Sequence, residues 1–450
     1  TSAAKVTVAD DLSITTSAPY GVTGTWLIDP ENDYKIASSG GDITGSQLSS
    51  NLGSNNVTIL SSSGGTAGNG DVFVNDNITW SANKLTLNAY RNIAINSALF
   101  GSGTAQLSLL YGQGAVASGN TATYTVNAPV NLPAGNTFST KRGSNGTERT
   151  YTVITSLGSA GSTTATDLQG MAGNLAGYYA LGANIDASAT STWNSGAGFL
   201  PIGNTTTRFT GIFNGLGHTI SNLFINRPST NYVGLFGYTG SGATVINVGM
   251  AGGSVMGKNG VGGLVAYNSG TITDSYATGS MTGSNDYVGG LVGWNDTGKI
   301  TNSYATGSVT GTNYVGGLAG RNDRTITGSY ATGSVTGTSD VGGLVGYNEG
   351  GTVTNSYATG SVSGQGNVGG LVGYNFYSTI TASYATGSVT GTSDVGGLVG
   401  YNYYGTVTNS YSTGYVTGGS RVGGLVGRND SGTITDSYWD TDTSGQLSSA

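Results

Sequence analysis

Side chains able to perform catalysis are few in this sequence. His218, in the turn-like segment NGLGHTI, is the only histidine, and cysteine is absent. Any Ser–His–Asp triad would therefore have to use His218. A metal site built from several histidines or from cysteine thiolates cannot form. We interpret His218 as a turn residue whose ring is satisfied by hydrogen bonds.

Carboxylates are the remaining candidates, because glycoside cleavage needs only two acids that flank the scissile bond. From residue 261 onward the acids recur singly from one repeat to the next, mostly beside Asn or Gly. An active site should interrupt the repeated pattern at one place, and no such interruption is visible. The sequence therefore predicts a protein that is not an enzyme and needs no cofactor, with a polysaccharide-active β-helix enzyme as an alternative.

The segment DTDTSG is similar to the start of a calcium-binding loop. Asp440, Asp442 and Ser444 would supply oxygens at the first, third and fifth positions, and a glycine follows. The bidentate acid that such a loop needs at its last position would lie beyond Ala450. We interpret the segment as a polar turn without a metal.

The dominant pattern is a glycine-rich phrase, most often VGGLVGYN, that returns every 26 or 27 residues in phase with a second phrase, SYATGS. Self-similarity of this regularity indicates a solenoid. The units are rich in turn and strand residues and lack helical periodicity. We therefore predict an all-β fold, an elongated right-handed parallel β-helix with coils of about 27 residues. The phrase begins at Val261, Val288, Val315, Val341, Val368, Val395 and Val422.

Stacked coils would bury continuous columns of side chains. In one coil, for example, the residues expected to face inward are Val341, Leu344, Val353 and Val362. The glycines are expected at tight corners and close backbone contacts. The asparagine that ends each phrase should form a ladder whose amides bond from coil to coil. Its members are Asn268, Asn295, Asn322, Asn348, Asn375, Asn402 and Asn429.

The SYATGS phrase places one tyrosine in each coil, and the sequence leaves the direction of this column open. An exposed column would offer sugars a stacking platform, because an aromatic ring has an apolar face and a polar edge. A buried column would hold the coils together. The members are Tyr276, Tyr304, Tyr330, Tyr357, Tyr384, Tyr411 and Tyr438.

Other outward positions are also candidate binding surfaces. Thr-x-Thr pairs such as Thr352 and Thr354 recur along the array, with Lys299 interrupting once. Both threonines should face outward, which suits an ice-binding solenoid or simply a solvated strand face. Aromatic residues near the corner after the glycine-rich phrase are predicted to lie on the surface and to contact a carbohydrate. They are Trp294, Tyr374, Tyr401, Tyr403 and Tyr404.

The chain is expected to have three parts. Residues 1–135 are predicted to form an irregular β-solenoid, residues 136–230 a junction, and residues 231–450 the regular array. In the junction we expect a short helix capped near Thr166 and a strand in YYALGANI.

Several of these segments resemble bacterial two-partner-secretion exoproteins of the filamentous-haemagglutinin type. NDNITWSANKLTLNAYRNIAIN is similar to their solenoid, and FTGIFNGLGHTISNLFINRP resembles the segment that precedes GLUG repeats. VGGLVGYN with TNSYATGSVTG resembles the GLUG repeat itself. The resemblance implies export through an outer-membrane transporter of the two-partner type. It also implies a secreted or cell-surface location and attachment to biofilm matrix. The secretion domain of that family is not visible in this sequence.

The function expected from the sequence is a secreted bacterial adhesin rod that binds exopolysaccharide or cell-surface glycans. A passive stalk that displays a binding tip located elsewhere is the alternative. The net charge of −7 argues against a nucleic-acid partner. The sequence contains no run of 18 or more apolar residues, so it predicts no membrane span.

Overall fold

Short strands separated by glycine and asparagine corners stack on their equivalents in the next coil. The computed structural model describes residues 6–9, 12–18, 21–62, 68–117 and 119–450, and these form a β-solenoid. One 16-stranded sheet, here called the long sheet, runs through both the irregular and the regular parts. The predicted all-β parallel solenoid is confirmed.

A coil of the regular array contains five short strands. In one coil these are Thr352–Thr354, Tyr357–Ala358, Val362–Ser363, Gly366–Gly369 and Val372–Phe376. They belong in turn to the long sheet and to four further sheets, here called the tyrosine, valine, glycine and asparagine sheets. Each strand pairs in parallel with the equivalent strand of the neighbouring coils.

The strand bounds are as follows. The long sheet contains Thr25–Ile28, Asn56–Leu60, Lys84–Ala89, Gln106–Tyr111, Gly135–Arg142, Arg149–Ile154, Tyr178–Leu181, Ile212–Asn214, Thr244–Ile246, Thr271–Thr273, Lys299–Thr301, Thr325–Thr327, Thr352–Thr354, Thr379–Thr381, Thr406–Thr408 and Thr433–Thr435. The tyrosine sheet contains Ile185–Asp186, Thr219–Ser221, Gly249–Ala251, Tyr276–Ala277, Tyr304–Ala305, Tyr330–Ala331, Tyr357–Ala358, Tyr384–Ala385, Tyr411–Ser412 and Tyr438–Trp439. The valine sheet contains Phe224–Asn226, Ser254–Gly257, Ser280–Gly283, Val309–Thr310, Val335–Thr336, Val362–Ser363, Val389–Thr390 and Val416–Thr417. The glycine sheet contains Val261–Gly262, Asp286–Gly289, Asn313–Gly316, Ser339–Gly342, Gly366–Gly369, Ser393–Gly396 and Ser420–Gly423. The asparagine sheet contains Phe236–Thr239, Val265–Asn268, Val292–Asn295, Ala319–Asn322, Val345–Glu349, Val372–Phe376, Val399–Tyr403 and Val426–Asp430.

The irregular N-terminal part shares the long sheet and adds two small parallel sheets. Their strands are Tyr34–Ile36, Val72–Val74, Ile93–Ile95 and Tyr124–Val126 in one, and Ile78–Trp80, Leu99–Gly101 and Val130–Asn131 in the other. An α-helix that the sequence analysis did not predict, Gly45–Leu52, begins after Thr44, whose hydroxyl accepts a hydrogen bond from the Gln47 backbone N–H at 3.1 Å. The helix buries Leu48 and Leu52.

The junction departs from the parallel pattern. Strands Gly135–Arg142 and Arg149–Ile154 pair antiparallel before the parallel order resumes at Tyr178–Leu181. The expected helix is a 3₁₀-helix, Gln169–Gly173. The cap expected near Thr166 is provided by the adjacent Asp167, whose carboxylate accepts from the Gly170 N–H at 2.6 Å. A second 3₁₀ segment, Ser188–Gly196, also lies in the junction and contains an internal kink.

The inward residues and the asparagine ladder match the prediction. Val341, Leu344, Val353 and Val362 are all buried in the apolar core. The ladder asparagines from Asn268 to Asn402 are buried, and each donates from Nδ2 to Oδ1 of the next at 2.7 to 2.9 Å. Each coil is therefore held to the next by an amide chain as well as by strand pairing. Among the described residues, no helix combines the length and apolar character that a bilayer crossing requires.

Candidate functional site

The predicted surface aromatics lie on the outward side of the asparagine sheet. In strand Val372–Phe376 the side chains of Val372 and Asn375 are buried, whereas Tyr374 and Phe376 face outward. Strand pairing places Tyr374 in register with equivalent outward residues of the other coils, here called the mixed column. Its members are Tyr238, Tyr267, Trp294, Arg321, Tyr347, Tyr374, Tyr401 and Arg428.

Arginines and neighbouring rings cover the ring faces in the mixed column. The Arg321 guanidinium lies 4.5 Å from the Trp294 ring centroid. Tyr374 and Tyr401 stack with centroids 4.7 Å apart and planes 5° apart. On its other side Tyr401 meets the Arg428 guanidinium at 4.4 Å. Ring edges and hydroxyls are what this column presents to solvent.

A different arrangement exists one corner further along the chain. Phe376, Tyr377, Tyr403 and Tyr404, here called the aromatic patch, occupy equivalent positions in two neighbouring coils. Tyr377 and Tyr404 are 57% and 49% exposed and stack in parallel at 5.1 Å. Phe376 and Tyr403 form a second parallel pair at 5.4 Å. The two pairs meet edge-to-face, with interplanar angles of 83° and 79°.

The free face of the aromatic patch belongs to Tyr377. The corresponding corner residue of the preceding coil is Gly350, around whose missing side chain there is open space. Both Tyr377 and Tyr404 adopt a positive φ of 48°, a conformation that Gly350 adopts without cost. The same corner conformation recurs in the next coil, where Ser431 has a φ of 55°, so the large exposed side chains, and not the backbone, distinguish Tyr377 and Tyr404.

The structure places the five residues that the sequence singled out on one side of the rod, but Trp294 lies three coils before Tyr374 and contacts none of the other four. Trp294, Tyr374 and Tyr401 belong to the mixed column, and Tyr403 and Tyr404 belong to the aromatic patch. Sequence reasoning missed Phe376 and Tyr377. The repeat itself was the available signal, since these two residues precede Tyr403 and Tyr404 by one 27-residue period.

The acids that border the aromatic patch are paired with arginines. The Glu349 carboxylate pairs with Arg321 at 2.6 Å. The Asp430 carboxylate pairs with Arg428 and accepts from the Tyr401 hydroxyl at 2.8 Å. Hydrogen bonds from Arg428 and then from Tyr401 hold the pKa of Asp430 below its ordinary value. The Arg321 guanidinium also pairs with Asp323 at 2.7 Å, so this border keeps one net negative charge. The patch is therefore an apolar surface with hydroxyl groups, bordered by acids that are paired with arginines.

The column of SYATGS tyrosines lies on the outer surface. Rings from Tyr276 to Tyr411 are stacked 4.7 to 5.0 Å apart with planes within 5° of parallel. Each interior ring therefore has both faces covered by its neighbours. This tyrosine ladder is a stabilising stack whose rings are free only at the ends. The Thr-x-Thr pairs, such as Thr352 and Thr354, flank a buried residue and face outward, as expected.

The remaining candidates are structural. His218 is buried, with Nε2 3.0 Å from the Val130 carbonyl and Nδ1 3.2 Å from Asn184 Oδ1. Burial lowers its pKa. The Asp440 carboxylate accepts from the backbone N–H groups of Asp442 and Thr443 and begins the short helix Thr441–Ser444. No group of three His or acidic residues suited to a metal occurs in the described part of the chain.

Asp340 is a buried acid in the glycine sheet. Asn367 of the next coil donates to its Oδ1 at 2.6 Å. Burial raises the pKa of Asp340 to about 6 from an ordinary 3.8. The carboxyl group is thus protonated more readily in the folded chain than in the unfolded chain.

We expect stability to depend on pH through Asp340. The proton held by the folded state stabilises the fold fully below pH 3.8, and this contribution is lost as the pH rises through about 6. Asp340→Asn should remove the dependence and raise stability at neutral pH by on the order of 2 kcal/mol. Unfolding curves at several pH values check this. The matched change Asp394→Asn should instead destabilise, because Asp394 pairs with Arg421. An increase in stability at neutral pH for both Asp340→Asn and Asp394→Asn would contradict the prediction.

Stacked coils of constant length and columns of identical side chains define a β-solenoid repeat protein. Six consecutive segments match the GLUG motif family and together cover well under half of the chain: 257–282, 284–310, 311–336, 337–363, 364–390 and 391–417. Residues 257–417 thus match the GLUG motif six times in succession. The following coil still pairs in register, with Val422 beside Val395.

Two curated relatives are similar to part of the chain. Halomucin from Haloquadratum walsbyi is 47% identical over 133 residues, which is 28% of this chain and 1% of that protein. A protein described as a Gly-rich membrane protein, from Evansella cellulosilytica, is 46% identical over 57 residues, which is 13% of this chain and 7% of that protein. The chain thus spans a small fraction of either relative.

A solved structure was also found. It is described as an immunoglobulin A1 protease from Bacteroides ovatus and is 23% identical, with a TM-score of 0.41. The similarity covers 65% of this chain and 84% of that chain.

Proposed function

We propose that the chain is a non-enzymatic adhesive rod at the bacterial cell surface and that it binds neutral polysaccharide through the aromatic patch. The observation that carries this proposal is the exposed, parallel pair Tyr377 and Tyr404. Elsewhere on the asparagine sheet, and at the interior positions of the tyrosine ladder, ring faces are covered by other side chains. The aromatic patch interrupts the repeat at one place, as a binding site on a repetitive scaffold should.

The chemistry of the patch favours a neutral sugar chain. A pyranose ring has an apolar C–H face that suits an aromatic ring, and its hydroxyls suit the Tyr377 and Tyr404 hydroxyls. The bordering acids Glu349 and Asp430 are each paired with an arginine. Arg321 also pairs with Asp323, so this border keeps one net negative charge, which disfavours an acidic polymer. The patch lies on a flat side of a rod, which leaves a long chain free to extend past both ends of the contact.

A surface location is part of the proposal. It is supported by the similarity to a protein described as a Gly-rich membrane protein. The low fraction of charged side chains, 8%, together with the absence of cysteine, fits a chain exported before it folds. The repeats would then act as a spacer that presents the patch away from the cell.

Replacing the exposed pair should abolish polysaccharide binding without loss of the fold. We expect Tyr377→Ser/Tyr404→Ser to lower affinity for neutral polysaccharide at least tenfold, because each lost stacking contact removes about 1 kcal/mol. Affinity electrophoresis in gels that contain neutral glucans, mannans or galactomannans measures the change.

The matched control is Tyr438→Ser, which removes from the tyrosine sheet a tyrosine that is even more exposed, at 67%. It should migrate like the parent chain. If the parent chain is not retarded by any neutral polysaccharide, the passive stalk is the better account. An equal loss of polysaccharide affinity in the double variant and in Tyr438→Ser would also contradict a role for the patch.

A further inference from the structure

A second feature, remote from the aromatic patch, lies on the outward face of the long sheet in the irregular part. Here the structure contains a cavity of about 290 Å³, close to the lower end of the range for small-ligand sites. Its floor consists of outward, half-buried side chains of four successive strands of the sheet, each in register with the next. From strand to strand these are Leu60, Asn88, Leu110 and Lys141. The cavity is thus a trough that crosses the strands and follows the rod.

Lys141 brings a positive charge to one end of this trough. It forms no ion pair with any other residue that the structure describes. The antiparallel hairpin that carries it, residues 135–154, has three basic side chains and one acidic side chain, in a chain whose net charge is −7. The exposed Ser144, whose hydroxyl is a further hydrogen-bond donor, also lines the cavity. This end of the trough therefore favours an anionic group.

Asn88 provides an oriented hydrogen-bond donor further along the trough. Nε2 of Gln113 donates to the Ser61 carbonyl at 2.8 Å and also contacts Oδ1 of Asn88 at 3.2 Å. Because a carbonyl can only accept, the Ser61 contact identifies Gln113 Nε2 as the donor, so Asn88 turns its oxygen toward Gln113. Within the described part of the chain no group accepts from Asn88 Nδ2, which is left to donate to a ligand. The apolar side chain of Leu110 lies between Asn88 and Lys141.

We propose that this trough binds a single uronic acid residue, with its carboxylate on the Lys141 ammonium, a C–H face on Leu110 and a ring hydroxyl that accepts from Asn88 Nδ2. Lys141 and Asn88 are two strands apart, which separates their Cα atoms by roughly 9.5 Å. A uronic acid presents a charged group, an apolar face and hydroxyls in the order that these side chains require. A fatty carboxylate would pair with Lys141 but leave the Asn88 donor facing a hydrocarbon chain. This site does not depend on the aromatic patch.

The test is calorimetric titration of the full chain, at low ionic strength, with glucuronate, galacturonate and mannuronate. Methyl glucoside serves as the neutral comparison and hexanoate as the apolar carboxylate. We expect saturable binding of at least one uronate, which Lys141→Gln should weaken about tenfold and Asn88→Ala about fivefold. Ser144→Trp, which narrows the cavity and leaves both donors in place, should also weaken it.

Matched controls separate binding in the trough from a general effect of charge. Lys84→Gln removes another half-buried lysine from the same face of the long sheet, outside the cavity, and should leave uronate affinity unchanged. Tyr377→Ser/Tyr404→Ser should also leave it unchanged, which distinguishes this site from the aromatic patch. The absence of saturable binding by every uronate, equal affinity for methyl glucoside or for hexanoate, or equal loss in Lys141→Gln and Lys84→Gln would each overturn the proposal.

Discussion

Gly369→Ala is expected to destabilise the array severely, whereas Gly366→Ala in the same strand should have almost no effect. A Cβ at Gly369 would lie 2.0 Å from the Val372 carbonyl oxygen and 2.7 Å from the Gly400 backbone nitrogen of the next coil. Both atoms belong to the backbone, so neither can move without breaking the coil. A Cβ at Gly366 would meet nothing within 4 Å.

The expected loss for Gly369→Ala is on the order of 4 kcal/mol, while Gly366→Ala should change stability by less than about 1 kcal/mol. Chemical denaturation monitored by circular dichroism measures both. Hydrogen exchange of the amides in the affected coil is a useful second measurement, because repeat arrays open locally. Similar effects of the two changes would show that the glycine-rich phrase is not required for close backbone contact.

Asn375→Ala should have the second largest effect on stability. The buried Asn375 side chain accepts from Asn348 at 2.9 Å and donates to Asn402 at 2.8 Å. Its removal leaves the Asn348 amide donor and the Asn402 amide acceptor buried without these partners. The Ser378 carbonyl, which also accepts from Asn375, loses that hydrogen bond as well. We expect a cost of about 3 kcal/mol, measured by the same denaturation experiment.

The control is Asn429→Ala, where the same residue type is half-exposed and bonds to only one ladder neighbour. Water can replace the lost partner there, so the cost should be about 1 kcal/mol. Equal costs at Asn375 and Asn429 would mean that the ladder adds little beyond strand pairing.

The regular part of the fold could be predicted from the sequence because its period is visible. Once one coil is known to stack on the next, Val341 and Leu344 must align with their equivalents in a core, and Asn348 must face its neighbours. The same reasoning fails where the period fails. The antiparallel pair in the junction and the helix Gly45–Leu52 occur once each, so no repetition reveals them.

The candidate site was predicted only in part, because whether a ring face is covered or free depends on which side chains lie next to it in space. The sequence identified Tyr374 and Tyr401 as surface aromatics, but not that they cover each other. It identified Tyr404 without its partner Tyr377. The direction of the Tyr276 column could not be decided either, since the short strand alternates over only two residues before the next turn. Three-dimensional stacking decides which rings can meet a ligand.

The most direct test of this account is a glycan array probed with three labelled proteins: the parent chain, Tyr377→Ser/Tyr404→Ser, and Tyr357→Ser from the interior of the tyrosine ladder. The account predicts that the parent chain binds neutral glycans, that the Tyr357 variant binds the same glycans equally well, and that the double variant loses them. Binding that survives in the double variant, or that is lost equally in the Tyr357 variant, would contradict the assignment of the aromatic patch as the binding surface.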